Sequence, residues 1–197
     1  MMNKHIIRFP QDGQASLVAN EWQVWDGEGD EGAPFNTPDL KHGLNKVLVP
    51  FHWWRSHCSG HHQNADIIER ANKGEIGVWF ATDDDILKHA EIIEAGKKIW
   101  PVVAAHFPIF RDGRSFSTAA LLRQRFNWQN EVRAIGDVLI DQLLQGARVG
   151  FDAFELRPDQ DLTVGLQQFN LFSVSTQNSW RGKRTLLEAQ AQLSTIL

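Results

Sequence analysis

The chain has 197 residues, a formal net charge of −4, 42% hydrophobic residues, one Cys and eight Trp without a single Tyr. That length supports one sizeable core and is short for two independent domains. The near-balanced charge, without a basic stripe, argues against a nucleic-acid partner. A lone Cys excludes an internal disulfide, and no apolar run approaches the roughly 20 residues of a membrane span.

The N-terminus, Met1-Met-Asn-Lys-His-Ile-Ile-Arg8, has neither an apolar signal core nor a small-residue cleavage site, so a cytoplasmic location is expected. Residues 1–45 read as an irregular region packing on the main domain. It has a short strand near Trp22–Trp25 and an acidic, Gly-rich surface loop from Asp26, followed by Pro34 and Pro38. From Lys46 strands and helices alternate. Apolar strands are predicted over 47–51, 76–81, 101–107, 131–136 and 151–156. Residues 52–72 read as helical toward Ala65–Ala71. A helix capped by Thr82 or Asp83 should bury Ile86, Ala90 and Ile93, and one over Ser117–Phe126 should bury Ala119, Leu122 and Phe126. Asp137 should cap a helix carrying Leu139, Leu143 and Ala147 and ending near Gly150. Leu162, Leu166, Phe169 and Phe172 mark another helical face, a short strand near Phe172–Thr176 closes the sheet, and the tail from Thr185 reads as helix. Consecutive βα units imply a single α/β domain over 46–197 with a mostly parallel sheet, either open or curled into a partial barrel. Either form brings the loops after the strands to one edge, where α/β proteins bind ligands.

On that edge lies the run Phe107-Pro-Ile-Phe-Arg111-Asp-Gly-Arg-Ser-Phe-Ser117. Arg111 and Arg114 supply fixed positive charge, and Ser115 and Ser117 supply hydroxyls. Gly113 makes the turn into a helix whose first N–H groups lack internal partners. With Arg157 from a later strand end, this is the composition of a small-anion site, since a planar guanidinium offers an oxyanion two parallel hydrogen bonds. Asp137 and Glu155 are the candidate catalytic acids or bases beside it. The competing reading is a set of ion pairs and helix caps, with Arg123 and Arg133 pairing with Asp141 or Glu131. A second cluster, His57, Cys58, His61 and His62 (with His52 nearby), has the ligand types of a zinc or copper site, but it lacks a second ligand half and Ser59-Gly60 favours a solvated loop. The carboxylates Asp83-Asp-Asp85 read as helix-start residues rather than a cation site. Dinucleotide, P-loop, haem and iron–sulfur signatures are missing, and no cofactor is expected.

Three ordered motifs carry a resemblance: Gly113-Arg-Ser-Phe-Ser-Thr-Ala-Ala-Leu-Leu-Arg123, Glu131-Val-Arg-Ala-Ile-Gly-Asp-Val-Leu-Ile-Asp-Gln142 and Gly150-Phe-Asp-Ala-Phe-Glu-Leu-Arg157. With Gly77-Val-Trp-Phe-Ala-Thr-Asp-Asp-Asp85 upstream, the stretch 47–177 resembles the bacterial domain of unknown function 934 family. The resemblance implies an oxidoreductase label and a place beside assimilatory sulfite reductase, and it supplies no catalytic residues. Phe116 stands where that family often has Tyr, and the His-rich stretch 52–62 matches no family feature. The leading expectation is an accessory protein for sulfite reduction that binds a small oxyanion or docks to the reductase, using exposed Trp53, Trp54, Trp128 or Trp180. The alternatives are an enzyme acting on a sulfur oxyanion or a phosphorylated small molecule, and a metal-binding protein using 52–62. A two-fold homodimer is the default assembly.

Overall fold

The computed structural model describes residues 4–26, 46–60, 64–172 and 178–182. Its strands are β1 (His5–Arg8), β2 (Ser16–Ala19), β3 (Trp22–Val24), β4 (Lys46–Pro50), β5 (Ile76–Phe80), β6 (Val102–Phe107), β7 (Glu131–Gly136) and β8 (Ala153–Phe154). Its helices are α1 (Phe51–His57), α2 (Ala65–Asn72), α3 (Ala90–Gly96), α4 (Arg114–Gln124), α5 (Leu143–Val149) and α6 (Leu162–Gln167). The eight strands form one sheet in the order β2-β1-β8-β7-β6-β5-β4-β3. From β3 to β8 every pairing is parallel, and β1 runs antiparallel to both β8 and β2. The domain is α/β, and its sheet is open but strongly curled into a half-barrel.

The curl has a covalent cause. β2 and β3 stand at opposite ends of the strand order, yet only Asn20 and Glu21 separate them in the chain. Three Cα–Cα steps of about 3.8 Å hold those two ends within about 11 Å. The sheet therefore has a convex face under the helices and a concave interior. On β6, Val103, Ala105 and Phe107 join the helix-side core with Ala119, Leu122 and Phe151. The alternate residues Val102 and Ala104 join Trp22, Leu48 and Ile135 in a separate cluster inside the curl. By the same alternation His106 belongs to the concave face.

Several elements differ from their predicted form. The sheet is continuous across the boundary expected at residue 45, because β1, β2 and β3 are built into it. The helix expected from Thr82 or Asp83 begins only at Ala90. Asp84 accepts the Ala81 N–H, and Asp85 accepts those of Leu87 and Lys88, which closes a capped turn before the helix proper. Asp137 is not a helix cap: a 3₁₀ turn at Ile140–Gln142 leads into α5, which ends at Gly150 with φ +135°. The strand expected over 151–156 shortens to Ala153–Phe154. Phe172 is 70% exposed rather than on a buried face. The acidic loop beyond Asp26, most of the closing strand at 172–176 and the helix from Thr185 lie outside the described residues.

Trp53, Trp54 and Trp128 are core residues and not a docking surface. Trp180 lies half-buried against the Arg123 guanidinium, 4.1 Å from its ring centroid. Arg123 pairs with Asp152 at 3.0 Å, not with Asp141 or Glu131. Arg133 does pair with Glu131, at 2.6 Å. Among the described residues no helix is long and apolar enough to cross a membrane.

Candidate functional site

The turns after the parallel strands lie on one rim, as the topology requires, and two of the loop arginines on it, Arg114 and Arg157, are already engaged. Asp112 takes the fork of Arg114, with Nε at 3.0 Å and Nη2 at 2.7 Å, and also accepts the Arg114 backbone N–H at 3.2 Å. The anion at the α4 N-terminus is thus the chain's own carboxylate. The Arg114 fork holds the Asp112 carboxyl below its usual range. Arg157 forks onto Asp159, at 2.6 and 2.7 Å, and reaches Asp137 with Nη1 at 2.8 Å. Hydrogen bonding to Arg157 lowers the Asp159 carboxyl to about 2. The other oxygen of Asp137 accepts the Phe110 N–H at 2.7 Å, so this acid ties two rim turns together. Ser115 is buried, and its hydroxyl donates to the His106 carbonyl at 2.6 Å, which removes it as a donor to an anion. Arg111 and Ser117 are exposed, and Gly113 precedes the first turn of α4.

The second predicted cluster is split. His57 lies on α1, stacked on Trp53 at 4.5 Å, with Nδ1 2.9 Å from the Trp53 carbonyl. Cys58 is buried, and burial pushes its thiol up to about 12, so it stays protonated at neutral pH. His61 and His62 lie outside the described residues. Among the described residues no group of three or more His, Cys, Asp or Glu is arranged to hold a metal.

Inside the curl a different set of polar residues converges. Arg133 on β7 is 2% exposed and donates Nε and Nη2 to Glu131 at 2.8 and 2.6 Å. Its Nη1 donates to Asn20 Oδ1 at 2.9 Å, and Asn20 Nδ2 donates to Glu155 Oε2 at 3.2 Å. Arg has only donors, so it dictates which end of the Asn20 amide faces it and hence that the NH₂ faces Glu155. Glu155 follows the short β8, and together with His106 it lines a pocket of ≈ 230 Å³ at the C-terminal mouth of the half-barrel. Val24, Ile135, Gly136, Leu156 and Pro158 form the rest of its wall.

Burial pushes the Glu155 carboxyl up, against the opposing pull of Arg133 and Asn20. Burial pushes the His106 imidazole down. Each shift favours the neutral form. The His106 ring lies 5.4 Å from that of Trp79, and a side chain at Gly136 would sit 2.8 and 2.9 Å from its Cδ2 and Nε2 atoms. Gly136 has φ +93°, so the residue that makes room for the imidazole also adopts a conformation suited to glycine. Of the predicted site residues only Glu155 reaches this pocket. His106, Arg133 and Asn20 were not among them. The available signal was the β6 alternation Val102-Ala104-His106, an ionisable group at the C-terminal end of a strand on the face away from its helices.

A larger cavity of ≈ 650 Å³ opens at the opposite, N-terminal mouth. Its charged lining is paired throughout: Glu131 with Arg133 at 2.6 Å and with Arg8 at 3.8 Å, Lys46 with Glu21 at 2.6 Å, and Asp152 with Arg123 at 3.0 Å. In sheets of βα units that end stabilises and the C-terminal end reacts, so the smaller pocket is the better candidate. No curated protein and no solved structure matches the chain. The family described as bacterial protein of unknown function, DUF934, matches residues 77–187, a stretch that holds His106, Arg133, Gly136 and Glu155, and the chain belongs to that family.

Proposed function

We propose that this protein binds a small oxyanion at the C-terminal mouth of its half-barrel and exchanges a proton with it through Glu155 and His106. On this reading it is a cytoplasmic protein acting in support of assimilatory sulfite reduction. One observation carries the reading: His106 and Glu155, from strands that are not neighbours in the sheet, line the same pocket. Burial raises the Glu155 carboxyl and lowers the His106 imidazole; a carboxyl that takes up a proton on binding donates a hydrogen bond to an oxyanion instead of repelling it, and an imidazole in the same pocket can accept or return a proton. Sulfite, which itself gains and loses a proton near neutrality, suits such a pair.

Titration of the full chain with sodium sulfite, followed by calorimetry, tests this. Glu155→Ala and His106→Gln should each weaken binding at least tenfold, while Arg114→Ala leaves it within twofold. The reverse pattern, with Arg114 essential and Glu155 dispensable, returns the site to the loop rim and sinks the proposal.

A second reading, docking to the reductase, draws on a different observation. Phe110 is 47% exposed beside Ile109, while its N–H is held by Asp137 and its carbonyl by the Gln142 amide at 2.7 Å. A rigidly mounted, exposed aromatic is the usual form of an interface anchor. Phe110→Ser should abolish co-purification with sulfite reductase and leave sulfite binding intact. Unchanged co-purification removes this reading.

A further inference from the structure

The pocket that holds His106 and Glu155 is chemically one-sided. Among the described residues its polar side chains are those two, and the remaining wall comes from Val24, Ile135, Gly136, Leu156 and Pro158. Leu156 and Ile135 are buried, and Val24 faces them from β3 on the far side of the mouth. A volume of ≈ 230 Å³ has room for several non-hydrogen atoms, given that a water takes about 30 Å³ in the liquid. It falls short of the roughly 300–1,000 Å³ of pockets for drug-sized ligands. A bare inorganic ion would reach the two polar groups and leave the apolar wall against water.

We infer that the pocket takes a short-chain organic oxyanion, a small carboxylate or sulfonate. Its charged head meets His106 and Glu155, and its alkyl chain covers Val24, Leu156 and Pro158. This rests on the proposed oxyanion site and specifies what occupies it. Asn20, which links Arg133 to Glu155, keeps one carboxyl oxygen turned inward. Two acids meeting in a confined site share one proton, so the head-group contact requires Glu155 to carry it.

The test is a calorimetric series on the full chain with sulfite, methanesulfonate and propanesulfonate, alongside acetate and butyrate. Each added methylene should tighten binding by about fourfold, the effect of removing one CH₂ from water. In Val24→Thr, which keeps the side-chain shape at an exposed position, propanesulfonate and butyrate should weaken severalfold while sulfite is unchanged. Sulfite binding with a flat or falling alkyl series overturns this inference and leaves the oxyanion reading standing. Absence of binding across the whole series overturns both. Gain with chain length that Val24→Thr fails to alter, and that survives in a Pro158→Ser variant, places the chain elsewhere and overturns the pocket assignment.

Discussion

Asn20 is buried at 6% exposure between a guanidinium and a carboxyl, and its amide satisfies both. Truncation in Asn20→Ala leaves a buried Arg133 donor without its acceptor, a cost of about 1–3 kcal/mol. Urea denaturation should show that loss with an unchanged slope, and sulfite affinity should fall as the Glu155 carboxyl loses its anchor. His106 sets an acid limit. Its imidazole is held below the ordinary 6.5 of the unfolded chain, so the fold prefers the neutral ring. That contribution is complete above 6.5 and is lost as pH falls through the lower, folded value. Wild-type stability should therefore decline faster than that of His106→Gln on the acid side of 6.5, and the ring resonances should titrate below the ordinary His range in NMR. The legibility of such residues is uneven. The place of His106 follows from strand alternation alone, but nothing in the local sequence around Asn20 says that it crosses the interior of a sheet.

At the scale of elements, the turn from β6 into α4 was the richest anion-binding run in the sequence, and the structure shows why composition alone misleads there. Arg114 lies two residues from Asp112, close enough for one carboxylate to take both the guanidinium fork and a first-turn amide. Arg114 is exposed, and ion pairs at the surface contribute little because water and salt screen them. Arg114→Ala should leave the thermal midpoint near that of wild type. The end of β7 behaves differently. A Cβ at Gly136 would lie 2.4 Å from the Phe107 carbonyl oxygen as well as against the His106 ring. Gly136→Ala should cost at least about 1–3 kcal/mol in chemical denaturation, from the positive φ together with the overlap, and should displace the imidazole. Helix starts were read less well than strands for one physical reason. Asp84, Asp85 and Asp137 all have the chemistry of caps, yet Asp84 turns back to the Ala81 amide, Asp85 caps a single turn, and Asp137 takes the Phe110 amide from another loop.

At the scale of the molecule, Arg123 is the main tie at the N-terminal end of the sheet. It donates to the carbonyls of Gly150, Trp128 and Asn130 at 2.9, 2.7 and 2.8 Å, so one side chain joins the end of α4, the approach to β7 and the turn before β8. Its Nη2 makes a close charge contact with Asp152 without an aligned hydrogen bond. Asp152 in turn accepts the Val132 N–H at 2.7 Å, and burial raises its carboxyl to about 6 despite the adjacent cation. Arg123→Met leaves that acid buried without its partner and should destabilise the fold by about 3–5 kcal/mol, read from the denaturation midpoint.

The sequence by itself determined the order of the strands from β4 to β8, their parallel pairing and the convex core, because period-2 and period-3.6 apolar patterns are local properties, whereas the helix α1 was not read from it. It also placed Glu155 at a strand end. Tertiary structure decided which polar groups share a space. The two-residue link from β2 to β3 curls the sheet until Val24 and Leu156 line one mouth, and the same curl brings Asn20, Arg133, Glu155 and His106 together inside it. Distances across a closed curve depend on shear and twist summed over every strand, and no local pattern of residues encodes that sum.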